Sequence, residues 1–386
     1  MILTTKNGNI KVFTENIEQM AISQLFRLGN SPLGKDAHIR IMPDVHFGKG
    51  CTIGTTMKIT DKVCPNIVGV DIGCGVDLVK TDIDFSSCLE LLDTIIRNSI
   101  PHGKSVHKDE VYFDFEQLYC WNEISPESQE RARRAMGTLG GGNHFIEAYK
   151  DGYLCVHSGS RNIGLEVAKY YQGIAENTLK KHIEEERLQK LKSIDPSKRE
   201  EWLRLNSEAV DKELSYITGE NMLMYLHDIE IMQKFASENR LYMLNTIVNG
   251  LKGSILEHTS SVHNYIDTND MILRKGAISA KQGEKLVIPL NMRDGLLVCI
   301  GKGNKDWNCS APHGAGRLYS RSKAKEKFTV EEYENSMKNV YTTCVNKDTL
   351  DEAPFVYKDY TEIMKYIEPT VEIIDRLIPI YNFKAN

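Results

Sequence analysis

The sequence has no pair of cysteines two residues apart, no apolar run long enough to span a bilayer and no Walker-type phosphate loop. Each absence excludes something. Nine cysteines, an odd set without a CxxC, fit reduced thiols rather than a disulfide framework or a structural zinc knuckle. A spanning helix needs about 18 consecutive apolar residues. The first residues, Met1-Ile2-Leu3-Thr4-Thr5-Lys6, show no signal-peptide pattern. The expected location is therefore cytoplasmic, with no membrane partner. Lack of a Walker loop argues against a standard nucleotide fold. A large charge imbalance is missing too. A net charge of -5 over 386 residues does not suit a chain that coats nucleic acid indiscriminately, although a local basic groove is compatible with it. No repeat at solenoid periods occurs.

What is present is one recurring design: an apolar, strand-like run, a glycine-rich bend, then a side chain able to bind metal or phosphate. Val68-Gly69-Val70-Asp71-Ile72-Gly73-Cys74-Gly75 places a carboxylate and a thiol three positions apart among glycines that let both converge. Gly140-Gly141-Gly142-Asn143-His144 presents an imidazole after a triple glycine. Tyr153-Leu154-Cys155-Val156-His157-Ser158-Gly159-Ser160-Arg161 carries a histidine into a Ser/Gly loop with Arg161 at the start of a helix, a suitable anion site. Ser260-Ser261-Val262-His263 and Pro312-His313-Gly314-Ala315-Gly316-Arg317 supply two more histidines. Read singly, each has an ordinary structural explanation: a buried thiol, a solvated histidine, a helix cap. Read together, one Asp, one Cys and three His suffice for two closely spaced divalent ions. That ligand mixture suits zinc, manganese or cobalt, and the neighbouring Arg161, Arg274, Lys275, Arg317 and Arg321 point to a phosphate-bearing substrate. Phosphoryl or nucleotidyl transfer is the favoured reaction.

The remainder reads as scaffold. Strands are expected near 9–13, 286–289, 295–300 and 378–384, and helices near 15–28, 85–98 and 360–377. Apolar spacing is helical from 165 to 251, and the mixed charges of Lys180-Lys181-His182-Ile183-Glu184-Glu185-Glu186-Arg187 read as a solvated face.

The ordered set Met42-Pro43-Asp44-Val45-His46-Phe47-Gly48, Val70 to Gly75, Leu139 to Glu147, Val156 to Arg161 and His313 to Arg317 resembles the motifs of the RtcB-type RNA-splicing ligases. The resemblance implies a GTP- and Mn²⁺-dependent enzyme that joins an RNA 3′-phosphate or 2′,3′-cyclic phosphate to a 5′-hydroxyl. It assigns Asp71, Cys74, His144, His157 and His263 to two Mn²⁺ ions and makes His313 the nucleophile that takes GMP. Asp44 becomes an active-site acid, and Arg161 the holder of the RNA phosphate. The guanylate pocket falls to Asn143, Phe145, Glu147, Gly314, Ala315, Gly316, Tyr357 and Lys384. Broken tRNA or rRNA is the implied partner, with room for an activating protein. One departure stands out: Pro289-Leu290-Asn291-Met292 occupies the place of a Pro-Gly-Ser-Met turn, removing a hydroxyl expected near the nucleotide. Rival readings are a metal-dependent phosphodiesterase or phosphatase without guanylylation, and a non-catalytic RNA-repair subunit. The expected fold is one large α/β (α+β) domain over 1–386. Mixed or antiparallel sheets surround a central metal site, with a peripheral helical insertion at about 165–251.

Overall fold

The computed structural model describes residues 1–205 and 211–385. The part of the helical segment at 206–210 therefore lies outside the described residues. The architecture is mixed α/β, built around three main sheets.

A six-stranded sheet runs in the order Ile2–Thr5, Gly8–Val12, Arg40–His46, Ile53–Lys58, Ile272–Lys275, Asn264–Asp267. Its third strand is regular at Arg40 and Ile41 but next pairs only at His46. Pro43 falls in that gap, where it lacks an N–H to donate, and the irregular stretch carries Asp44.

A five-stranded antiparallel sheet runs Ile255–Val262, Gly75–Thr81, Tyr153–Ser158, Phe145–Tyr149, Pro379–Lys384. Cross-strand partners share a face. The pairs Phe145 with His157, Phe145 with Lys384, and Glu147 with Asn382 therefore point to one side. That side packs on the three-stranded sheet of Lys285–Asn291, Gly295–Gly301 and Val371–Leu377 through Val76, Leu78, Val287, Leu296 and Val298. The opposite face, with Val79, Ile146, Leu154 and Val156, is covered by the helices Leu89–Ser99 and Gly219–Gly250. Each fully buried Leu, Ile or Val of these layers contributes roughly 1.5–3 kcal/mol.

The helical segment is peripheral at one end and central at the other. Helix Arg161–Ser193 buries Ile163, Val167, Ala168, Tyr171 and Ala175, then carries its charged half away from the core. Helix Gly219–Gly250 keeps buried residues at helical spacing from Met222 to Val248; its first half packs in the core that also takes in helix Arg161–Ser193, and Met243 to Val248 pack on the five-stranded sheet. The expected helix over 360–377 is corrected: Tyr360–Ile367 is helical, and Val371–Leu377 is a strand. Pro369 cannot continue the helix, and the β-branched Val371, Ile373 and Ile374 favour extension. Among the described residues no helix is long and apolar enough to cross a membrane.

Candidate metal centre

Cys74 ends the Gly69–Gly73 bend and leads into the strand Gly75–Thr81, and its carbonyl accepts the His263 N–H at 2.8 Å. That bond joins the thiol to the junction where the chain passes from Ile255–Val262 in one sheet to Asn264–Asp267 in another. Cys74 Sγ lies 3.5 Å from His144 Nε2 and 3.3 Å from His157 Nε2, and all three residues are buried. His157 Nε2 is in turn 3.3 Å from His263 Nε2, and His144 Nε2 is 3.0 Å from Asp71 Oδ2.

The opposite edges of the rings explain why these atoms converge. His144 Nδ1 lies 2.8 Å from the Leu139 carbonyl and His157 Nδ1 lies 3.0 Å from the Asn143 carbonyl. Each Nδ1 must therefore carry the proton and each Nε2 the lone pair, the tautomer that suits a metal ligand. Arg161 Nη1 also comes within 3.3 Å of His144 Nδ1, but two donors cannot bond, so the carbonyl decides the tautomer. Burial and neighbouring imidazoles hold His157 and His263 well below the usual histidine range, which keeps both neutral. Burial also opposes the Asp71 carboxylate, but the nearby Arg161 guanidinium and the Ser160 N–H favour its charged form and hold it below the usual carboxylate range. Lone pairs of sulfur, nitrogen and oxygen thus face one another across 3.0–3.5 Å in a buried space. A divalent cation fits that donor set. Cys74, between the Asp71–His144 side and the His157–His263 side, is the donor placed to serve both.

Glycine is required at one approach. A Cβ on Gly159 would lie 2.2 Å from Asp71 Oδ1, the oxygen that accepts the Ser160 N–H at 3.1 Å.

His313 adjoins this cluster, its ring 5.0 Å from that of His263. Asp44, fully buried, brings Oδ2 to 2.6 Å from His313 Nδ1 and accepts the His313 backbone N–H at 3.1 Å. Gly314, Ala315 and Gly316 follow, all buried, with Gly316 (φ +78) held against the Asp44 backbone. His46 sits on the same strand, its Nδ1 2.9 Å from the Asp44 carbonyl. The sequence assigns His46 no role.

The remaining pocket residues gather beside Phe145. Glu147 is buried, hydrogen-bonded to Tyr149 Oη and Asn382 Nδ2, and burial pushes its carboxyl up to about 7. Lys384 Nζ lies 5.5 Å over the Phe145 ring, 2.9 Å from Glu352 Oε2 and 3.5 Å from the Asn143 carbonyl. Tyr357 donates to Glu352 as well, and Arg317 Nη1 reaches Glu352 Oε1 at 3.0 Å. Glu352, which the sequence did not single out, is therefore the shared partner of three groups. Its burial is outweighed by Lys384 and Arg317, which hold it at about 2.

Several basic residues do not serve as anion holders. Arg274 is fully buried and bonded to Ser310, Tyr265 and the Asn308 and Cys309 carbonyls. Lys275 donates to the Lys49 and Asn66 carbonyls, and Arg317 spends its remaining donors on Tyr319 and Asp351. Ser158 is likewise bonded to the Leu139 carbonyl. Arg161, packed on Gly140 with a buried, unpartnered Nε, remains, as does the exposed Arg321, which only approaches Asp351 and Glu352 at 3.8 and 3.9 Å. The Pro289–Met292 departure is a packed hairpin: Leu290 and Met292 are buried, and Asn291 Oδ1 accepts the N–H groups of Arg293 and Asp294.

A family profile described as "tRNA-splicing ligase RtcB" matches residues 24–119 and 117–385. The chain is 30% identical to the RNA-splicing ligase RtcB of Escherichia coli K12 across 97% of its own length and 96% of that protein's. It is 25% identical to the tRNA-splicing ligase RtcB of Methanococcus maripaludis, across 92% and 90%. It is also similar, at 26% identity over 84% of its length, to the tRNA-splicing ligase RtcB of Aeropyrum pernix. The aligned span takes in every strand and loop of the site above, and the chain belongs to the RtcB family.

Proposed function

We propose that this protein is an RNA ligase that joins 3′-phosphate or 2′,3′-cyclic phosphate ends to 5′-hydroxyl ends, using GTP through a covalent His313–GMP intermediate. The observation that carries the reading is the Asp44–His313 pair beside the Cys74, His144, His157 and His263 cluster. Relatives named as RNA-splicing and tRNA-splicing ligases support broken RNA, tRNA among it, as substrate.

Asp44 keeps the proton on His313 Nδ1, so the Nε2 lone pair faces outward and can act as a nucleophile. Nε2 attacks the GTP α-phosphorus; a P–N bond forms, the bond to the bridging oxygen breaks, and pyrophosphate leaves. An oxygen of the RNA 3′-phosphate then attacks the same phosphorus, and His313 departs with its Nε2 lone pair restored. Finally the 5′-hydroxyl oxygen attacks the activated 3′-phosphate, loses its proton, and GMP leaves. Two Mn²⁺ ions, held by Asp71, Cys74, His144, His157 and His263, would supply Lewis-acid charge to the phosphoryl oxygens. Arg161, with Nε free, is suited to hold the RNA phosphate. Glu147, Phe145, Lys384, Asn143 and Tyr357 would receive the guanylate, Glu147 accepting from the guanine N1 and N2 groups.

The test is ligation of a stem-loop RNA cut to leave a 3′-phosphate and a 5′-hydroxyl, with GTP and Mn²⁺. A joined product whose yield depends on GTP is expected. RNA binding without joining would favour a non-catalytic repair subunit, and removal of the terminal phosphate without joining would favour a phosphatase.

A further inference from the structure

Besides Asp228, which binds the Tyr119 and Cys120 N–H groups and Tyr171, helix Gly219–Gly250 buries an apolar stripe interrupted by the consecutive polar residues Asn239 and Arg240, both fully buried. Their hydrogen bonds run to the backbone of the three loops that carry the metal centre. Arg240 Nη1 donates to the Gly73 carbonyl at 2.8 Å, beside Cys74, and to the Ser158 carbonyl at 3.0 Å, beside His157. Asn239 Oδ1 accepts the Thr138 N–H at 3.0 Å, and Nδ2 reaches the Thr138 carbonyl at 3.1 Å and the Gly159 carbonyl at 3.2 Å. Nδ2 also lies 3.3 Å from Ser158 Oγ, which donates at 2.9 Å to the Leu139 carbonyl, the same oxygen that orients His144.

The charge of Arg240 is met by Asp77, three residues beyond Cys74 and equally buried, at 2.9 Å from Nε, close as an ion pair though not aligned as a hydrogen bond. Asp77 also accepts from Ser260 at 2.6 Å and lies 3.2 Å from His258. A buried ion pair is a poor way to hold a helix on a sheet, since well-packed apolar residues do so at least as well. The two N–H groups of Nη1 do what an apolar residue cannot: from one nitrogen they tie two carbonyls of different loops at a fixed separation. Donor atoms only 3.3–3.5 Å apart depend on such a separation.

We infer that Asn239 and Arg240 are positioning residues that set the spacing of Cys74, His144 and His157 and so tune the affinity of the site for divalent metal. The inference rests on the metal-centre reading. Co²⁺ titration of the intact protein, followed by the thiolate-to-cobalt charge-transfer absorption, separates the two. Cys74→Ala should lose the band. If the unaltered protein binds no Co²⁺, the metal-centre reading fails and this inference with it.

If the band is present, Arg240→Met should weaken Co²⁺ binding by roughly 10–100-fold and lower Tm, because Asp77 is left unpaired. Asn239→Leu should weaken it in the same range. The double variant Asp77→Asn with Arg240→Met should regain Tm yet keep the weakened Co²⁺ affinity. Arg240→Lys, which keeps the charge but ends one bond short of the Nη1 position that reaches both carbonyls, should show the same loss of affinity and serves if the methionine variants do not fold. Affinity that returns with Tm, or that is unchanged in Arg240→Met or Arg240→Lys, would overturn the inference and leave the pair a packing device.

Discussion

Asp44 Oδ2 lies 2.6 Å from His313 Nδ1 and accepts the backbone N–H of the same residue at 3.1 Å, so one carboxylate oxygen fixes both the position and the tautomer of the histidine. Asp44→Asn keeps an oxygen that can accept both N–H groups but removes the negative charge that would offset the positive ring formed when Nε2 attacks phosphorus. The rate of His313 guanylylation should fall by roughly 10²–10⁴-fold, with Co²⁺ or Mn²⁺ binding little changed. Single-turnover formation of labelled adduct measures the first and equilibrium dialysis the second.

Cys74 is the donor placed between the two halves of the cluster. Cys74→Ala should lower the bound metal from two equivalents to one or none, measured by elemental analysis after dialysis, with folding retained because a small buried residue replaces another. Two tightly bound equivalents in the variant would sink the bridging role of the thiolate.

If Glu147 receives the guanine as proposed, nucleotide binding should depend on pH. Its folded pKa of about 7 lies above the ordinary 4.5. The stability it contributes is thus fully present below about 4.5 and is lost as pH rises to about 7, on the order of 3 kcal/mol. Glu147→Gln should remove this decline, seen by denaturant unfolding at pH 4.5, 6 and 8. Because guanine N1–H and N2–H need the carboxylate form, GTP affinity by calorimetry should rise as pH passes upward through about 7. A flat profile would exclude Glu147 from the guanine contact.

Glu352 behaves in the opposite sense. Held at about 2 by Lys384 and Arg317, it gives stability above about 4.5 that is lost as pH falls toward 2. Glu352→Gln leaves the buried Lys384 and the partly buried Arg317 facing a neutral group and should cost about 3–5 kcal/mol at neutral pH. Its unfolding free energy should then vary less with pH than the unaltered protein's between 4.5 and 2.

The residues of the site were legible where a glycine-rich bend follows an apolar run, because there the local sequence itself delivers the side chain: Cys74, His144, His157 and His313. Residues that act by supporting others were not. Glu352 matters only because distant Arg317, Tyr357 and Lys384 close on it. Asn239 and Arg240 are visible only as polar interruptions, like Asp228, in a buried helical stripe, and no local pattern says which carbonyls they reach. Conversely Arg274, Lys275 and Arg317 looked like phosphate holders because charge beside glycine reads the same whether its partner is a ligand or a buried carbonyl. The strand Val371–Leu377 escaped the sequence reading because the apolar spacing of the preceding helix carries on past Pro369.

Incubation with GTP labelled at the α-phosphate and Mn²⁺, followed by denaturing separation under alkaline and then acid conditions, examines the proposed chemistry most directly. An alkali-stable, acid-labile protein–GMP adduct is predicted in the unaltered protein and none in His313→Ala. Failure of the unaltered protein to label, or labelling that survives His313→Ala, would contradict it.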